Sequence, residues 1–210
     1  MPSLDQLALF AAAALLLAVT PGPGLLYVAA RTLAGNRAEG IAASLGTGLG
    51  GMAHVLAGGL GVSALVLASA ELFTTLKLAG AAYLLWLGVR TVLSARAPVA
   101  PGPIQPAGTR RAFREGVAVE ALNPKTAAFF LAFVPQFVDP AAGSVAVQFA
   151  VLGSVSVLLN TGADVAVAFA AGRALQGAAQ RPGLVRRLRQ ASGGAMVALG
   201  LGLLLARRPS

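Results

Sequence analysis

Leu122-Asn123-Pro124-Lys125 interrupts an apolar run that extends from roughly Phe113 to Val138. A proline in mid-run removes a backbone donor and clashes with the preceding turn, so a helix crossing this point breaks and restarts. Asn123 then reads as the cap of the new helix and Pro124 as its first residue. Lys125 falls just inside that helix, at the positive end of its dipole and far from either end of the apolar run. A buried ammonium there requires a negative partner, either a carboxylate of the protein or one brought by a ligand. Thr20-Pro21-Gly22-Pro23 repeats the same grammar near the start of the chain. The protein is therefore read as organised around two broken helices.

The composition says where those helices lie. Of 210 residues, 57% are hydrophobic and only 11% are charged, whereas soluble domains carry about a quarter charged residues. At roughly 20 apolar residues per crossing, the chain holds about six membrane helices and no separate soluble domain. The net charge of +9 sits in short loops without interleaved aromatics, which argues against nucleic acid and for loops retained on the cytoplasmic side of a lipid bilayer. With no Cys and one His, disulfides, thiolate metal sites and cysteine nucleophiles are excluded, and no cofactor or metal is expected. The start of the chain lacks a basic n-region, and its apolar run continues to the Thr20 break, so a retained first helix is expected.

Outward from the breaks, the first apolar run covers about Leu4 to Leu33, the second about Ile41 to Ser69, and the third about Leu72 to Leu93. The second is rich in glycine, which lets helix backbones approach closely in lipid and suits a homodimer as readily as packing within one copy. Gly46 to Gly51 also fits G-x-G-x-x-G, but no strand precedes it, so the dinucleotide reading fails. A Pro/Gly-rich, then basic stretch separates two halves, giving residues 1–97, a linker at 98–111, and residues 112–210. The broken fourth helix, a turn at Asp139-Pro140, a fifth run from Ser144 to Ala171, a basic loop from Arg173 to Arg189, and a sixth run ending at Ala206 follow. The fold class predicted is an all-α integral membrane protein of six transmembrane helices, with helices one and four broken at mid-membrane. Three crossings per half make the second half inverted relative to the first, as in many secondary transporters. Loops after helices one, three and five hold twelve Arg, against Lys77, Arg207 and Arg208 on the other side, so both termini are placed outside the cytoplasm.

Each break exposes backbone N–H groups and a positive dipole end inside the membrane, a geometry suited to a carboxylate ligand. The candidate binding residues are Thr20, Pro21, Gly22, Pro23, Asn123, Pro124 and Lys125; a simple packing kink is the plainer reading of either break. His54 and Asp164, expected about one turn apart in depth, are candidates to carry a proton, or else to form structural hydrogen bonds between helices. Glu120 is a third candidate, or a neutralising partner for Lys125. Asn160 and Thr161 are read as bonding to neighbouring backbone. Phe129 and Phe130 are read mainly as packing groups, with Phe129 on the same helical face as Lys125 and in reach of a cation–aromatic contact.

Thr20-Pro21-Gly22-Pro23, Lys77 with Gly80-Ala81-Ala82-Tyr83-Leu84 and Gly88, and Asn123-Pro124-Lys125 with Phe129-Phe130 and Pro135-Gln136-Phe137 stand in one order and spacing. In this the whole chain resembles the lysine exporter (LysE/RhtB) family of bacterial amino-acid exporters. The resemblance implies a cytoplasmic-membrane protein of six helices that expels amino acids or derivatives without ATP, driven by the proton or membrane potential. The family pattern usually continues the first motif with Asn, where this chain has Gly24. An intramembrane enzyme would need a nucleophile with its base or a metal-ligand cluster, and the residues for neither are present. The nearest alternatives are a cation exporter of the same superfamily, for which mid-membrane acids are few, and a structural membrane protein that transports nothing.

Overall fold

The computed structural model describes residues 4–68, 70–96, 105–170 and 182–205. They form helices α1 (Leu4–Val19), α2 (Pro23–Ala34), α3 (Arg37–Ala68), α4 (Ala70–Leu93), α5 (Thr109–Ala121), α6 (Pro124–Ala128), α7 (Val145–Ala170) and α8 (Pro182–Leu205). From α6 the chain continues into a π-helical turn at Phe129–Phe133 and a 3-10 turn at Val134–Phe137. Both expected breaks are present. α1 and α2 meet at 47°, and α5 meets the segment from Pro124 to Phe137 at 41°. In each case proline occupies the first turn of the second half-helix, where its missing N–H leaves no bond unmade.

Arg37–Gly61, Leu78–Arg96 and Val145–Ala170 are long and apolar enough to cross a membrane, and each bent pair adds one more, for up to five. The sixth crossing expected from the sequence falls on α8, whose described apolar stretch, Gly193–Gly202, is shorter. One boundary differs from expectation. The basic loop predicted from Arg173 to Arg189 gives way to α8 at Pro182, so Arg186, Arg187 and Arg189 lie on its first turns, and the side chains of Arg186 and Arg187 are exposed, as a helix entering the headgroup region allows while keeping its backbone bonds. Arg173, Arg181, Arg207, Arg208 and most of the Pro/Gly-rich linker lie outside the described residues.

α3 is central, packed against α5, α7 and α2, while α4 runs along α8. Glycine makes both close approaches: a Cβ on Gly116 would lie 2.7 Å from the Ala43 carbonyl of α3, and one on Gly88 would lie 2.7 Å from the Gly193 carbonyl of α8. Many of the small residues of α3 thus serve packing within one copy of the chain. On one side of the breaks a buried aromatic cluster, Phe10, Phe129, Phe130 and Phe149, joins α1, α6 and its continuation, and α7. This bears out the packing reading of Phe129 and Phe130, and it fixes the depth at which the two breaks meet.

Candidate functional site

The second break is capped by its own side chain. Asn123 is extended (φ −74°, ψ 110°) and its Oδ1 accepts from the Lys125 backbone N–H at 3.0 Å. Because that partner is a donor, the amide orientation is fixed, and Nδ2 donates to Glu120 Oε2 at 2.9 Å. Thr126 Oγ1 donates to the other oxygen, Oε1, at 2.6 Å. The first break is built differently. Gly22 occupies the cap position with no side chain to offer, and the Thr20 hydroxyl turns back to the Leu16 carbonyl at 2.6 Å.

Lys125 joins the two. Its Nζ donates to the carbonyls of Leu17 at 3.0 Å and Thr20 at 3.1 Å, and the residue is 4% exposed. These carbonyls lie at the C-terminal end of α1, the negative end of its dipole, where that of Leu17 also accepts from the Thr20 backbone N–H at 3.2 Å. Among the described residues the buried ammonium is therefore held by carbonyls at a helix end and not by a carboxylate of the protein. The ion pairs among the described residues are Arg31–Glu115 and Arg111–Glu115, so Glu120 is not paired with Lys125 and instead serves Asn123 and Thr126. The cation–aromatic contact considered for Phe129 is not formed either, since the lysine points across the interface to α1. Gly22 makes this path available: a Cβ there would lie 2.9 Å from Lys125 Nζ and 3.0 Å from Cε. Gly24 does the same for Glu120, whose Oε2 would lie 2.5 Å from a Cβ at that position.

A cavity of about 20 Å³ lies where the breaks meet, with Thr47, Gly51, Glu120, Thr126, Phe130 and Asn160 on its walls. That is room for about one water molecule. Asn160, expected to bond to backbone, faces this cavity and has Nδ2 at 3.4 Å from Asp164 Oδ2. His54 Nε2 lies 2.9 Å from the Glu120 carbonyl, which only accepts, so this nitrogen carries the hydrogen; the ring stacks on Phe130 at 5.8 Å. Asp164 is fully buried and meets Thr47 Oγ1 at 2.7 Å. Thr47 precedes His54 by seven residues on α3, about 10 Å of helix axis. His54 and Asp164 are therefore about two helical turns apart along α3, and not the one turn expected: His54 is bound to the second break, and Asp164 to Thr47.

Sequence reading overlooked Thr47, and it overlooked a polar clasp at the Arg-rich end. Arg31, read only as a loop charge, is 6% exposed and ion-paired through Nη2 with Glu115, while its Nη1 donates to the Gln105 carbonyl at 3.1 Å. The Tyr27 hydroxyl reaches the Ala112 carbonyl at 3.0 Å. Glu39 accepts from the backbone N–H groups of Ala107 at 3.2 Å and Gly108 at 3.1 Å. The available signal was spacing, since Tyr27 with Arg31 and Arg111 with Glu115 are each four residues apart on a helix face.

An all-helical chain in which two bent apolar helices cross over a buried lysine is an integral membrane protein of the translocator class. It belongs to the LysE type translocator family, whose pattern it matches over residues 15–207. It is a translocator and not an enzyme. It is similar to an uncharacterized membrane protein of Pseudomonas aeruginosa, 31% identical over 145 residues, which cover 67% of each chain. A homoserine/homoserine lactone efflux protein of Salmonella typhi is 35% identical over 88 residues, 42% of each chain, so less than half of that relative's length is matched. A leucine efflux protein of Enterobacter is 26% identical over 150 residues, 70% of each chain. No solved structure matches the chain.

Proposed function

We propose that this translocator exports amino acids or close derivatives across the cytoplasmic membrane, driven by the proton motive force, with the substrate carboxylate bound where the two breaks meet. The observation that carries the proposal is the position of Lys125, a buried cation whose ammonium, among the described residues, donates to two neutral carbonyls and to no carboxylate. A full negative charge is a stronger partner than a carbonyl dipole in a low-dielectric site, so an entering carboxylate takes the ammonium from α1. The binding residues are then Thr20, Pro21, Gly22 and Pro23 from one break and Asn123, Pro124 and Lys125 from the other, with His54, Asp164 and Glu120 as the proton carriers to be separated. The efflux of leucine and of homoserine named for the relatives points to the same substrate class.

The cavity is too small for an amino acid, so binding requires the breaks to part. Two inverted three-helix halves, residues 1–97 and 112–210 joined by the 98–111 linker, supply such a motion by rocking against each other. The two halves meet along matched pairs of helices: α7 of the second half lies on α1 and α2, α3 of the first half lies on α5, and α4 lies along α8. The Arg-rich side faces the cytoplasm and both termini lie outside it. Reporter fusions after Ser210 and within Pro98 to Gly108 should report extracytoplasmic and cytoplasmic locations respectively; a cytoplasmic C-terminus overturns the orientation. The function itself is tested by loading proteoliposomes with a panel of labelled amino acids, beginning with leucine and homoserine. Efflux of at least one on imposing a proton gradient is expected, and no efflux of any contradicts the proposal.

A further inference from the structure

The structure assigns Asp164, read through Thr47, as the site where the transported proton binds, a narrowing that rests on the proton-driven export proposed above. The argument is a count of hydrogens. Thr47 Oγ1 lies 2.8 Å from the Ser44 carbonyl and 2.7 Å from Asp164 Oδ2. A hydroxyl has one hydrogen, and a carbonyl can only accept. When that hydrogen points to Ser44, the short contact with Asp164 is a hydrogen bond only if Asp164 is protonated at Oδ2 and donates to Thr47. When Asp164 loses the proton, the Thr47 hydroxyl turns to Oδ2 and releases Ser44. Proton binding is thus written into the rotation of one buried hydroxyl, with one hydrogen added or removed and none left over.

The other oxygen points the same way. Asp164 Oδ1 is the one buried side-chain nitrogen or oxygen among the described residues that has no hydrogen-bond partner. An unpartnered oxygen is far less costly on a neutral acid than on a carboxylate in a site that is 0% exposed. The other two candidates have every contacting atom partnered. Glu120 accepts at both oxygens, from Asn123 Nδ2 and Thr126 Oγ1. His54 holds its hydrogen on the Glu120 carbonyl.

The surroundings connect this proton to the substrate site. Charged groups that act on Asp164 are Glu120 from α5 and Lys125 from α6, the two that flank the second break. α3, which packs on α7, contributes Thr47 and directs His54 to Glu120 and Glu39 to the linker backbone. α2 directs Arg31 to Glu115. Arg37, at the start of α3, lies over Phe169 at 5.0 Å. Thr47 and Asn160 touch Asp164 and also line the cavity between the breaks. Thr47 is accordingly a positioning residue, whose hydroxyl braces α3 to α7 in both orientations of the network.

The test is an infrared titration of the purified full chain in lipid nanodiscs, in potassium chloride without substrate. A protonated-carboxyl band is expected that disappears as pH rises, is lost in Asp164→Asn, shifts in Thr47→Val with the loss of its acceptor, and is restored in Thr47→Ser. A band identical in wild type and Asp164→Asn, or none at any pH, overturns the assignment. So does a band depleted by replacing potassium with sodium at fixed pH, which would make the site one for a metal cation. Wild-type protein that moves no amino acid instead removes the exporter reading and the coupling role with it, whereas a missing band removes the protonation site alone.

Discussion

The two breaks share a sequence grammar and differ in chemistry. At the first, Thr20 to Pro23, the cap is glycine, the threonine hydroxyl is returned to its own helix, and what faces the partner is backbone: the Leu17 and Thr20 carbonyls, and Gly22 and Gly24, over which Lys125 and Glu120 lie. At the second, Glu120, Asn123, Lys125 and Thr126 form a connected side-chain network. One break is a bare acceptor surface and the other supplies the charges and donors. Proline sets the bend in both, and the residues around it decide which half binds and which is bound. Two bends of similar geometry can therefore carry different chemistry, provided glycine at one leaves room for the side chains of the other.

Four substitutions press on that asymmetry, in order of expected effect. Glu120→Ala should be the most damaging, because it strands the Asn123 amide and the Thr126 hydroxyl in a buried site at about 1–3 kcal/mol each; a thermal melt in detergent should fall by several degrees. A melt equal to wild type would mean that the network is not what holds the second break. Gly24→Ala and Gly22→Ala come next, since each places a methyl against a side chain of the second break, at about 1–3 kcal/mol for overpacking. Gly24→Ala should cost more, because the displaced carboxylate of Glu120 is fixed by two donors while the lysine stem over Gly22 can bend. The reverse order would show that the first break recognises Lys125 more tightly than its two carbonyl bonds imply. Asn123→Ala should have the smallest effect on stability, about 1 kcal/mol for a lost cap, and the equivalent loss cannot occur at the first break, where Gly22 caps without a side chain.

Much of this architecture was legible because its causes are local. Proline at 21, 23 and 124 fixed both bends, Asn123 announced its cap, and apolar run lengths placed α3, α4 and α7 within a few residues. Charge placement required a partner for Lys125, but its kind was not readable: an α1 carbonyl carries no sequence identity, and 105 to 108 residues separate the lysine from those it meets. Distance in sequence also hid the Thr47–Asp164 contact, 117 residues apart, and the burial of Arg31, which looked like the loop charges around it. His54 and Asp164 were each correctly marked as polar groups within apolar helices. Their separation depended on how α3 and α7 pack against each other, which no single-helix pattern contains.

The central claim is that Lys125 leaves two carbonyls of the first break for the carboxylate of the substrate. Its most direct test compares the apparent affinity of wild type and Lys125→Met for the amino acid identified by the efflux panel and for the amide of that amino acid, which lacks the charge. The account predicts that Lys125→Met weakens binding of the acid by about 1.5–3 kcal/mol, roughly ten- to 150-fold, as for a hydrogen bond to a charged group, and leaves binding of the amide within about two-fold. Equal losses for acid and amide, or none for either, would contradict it and reduce the lysine to a clasp between two bent helices.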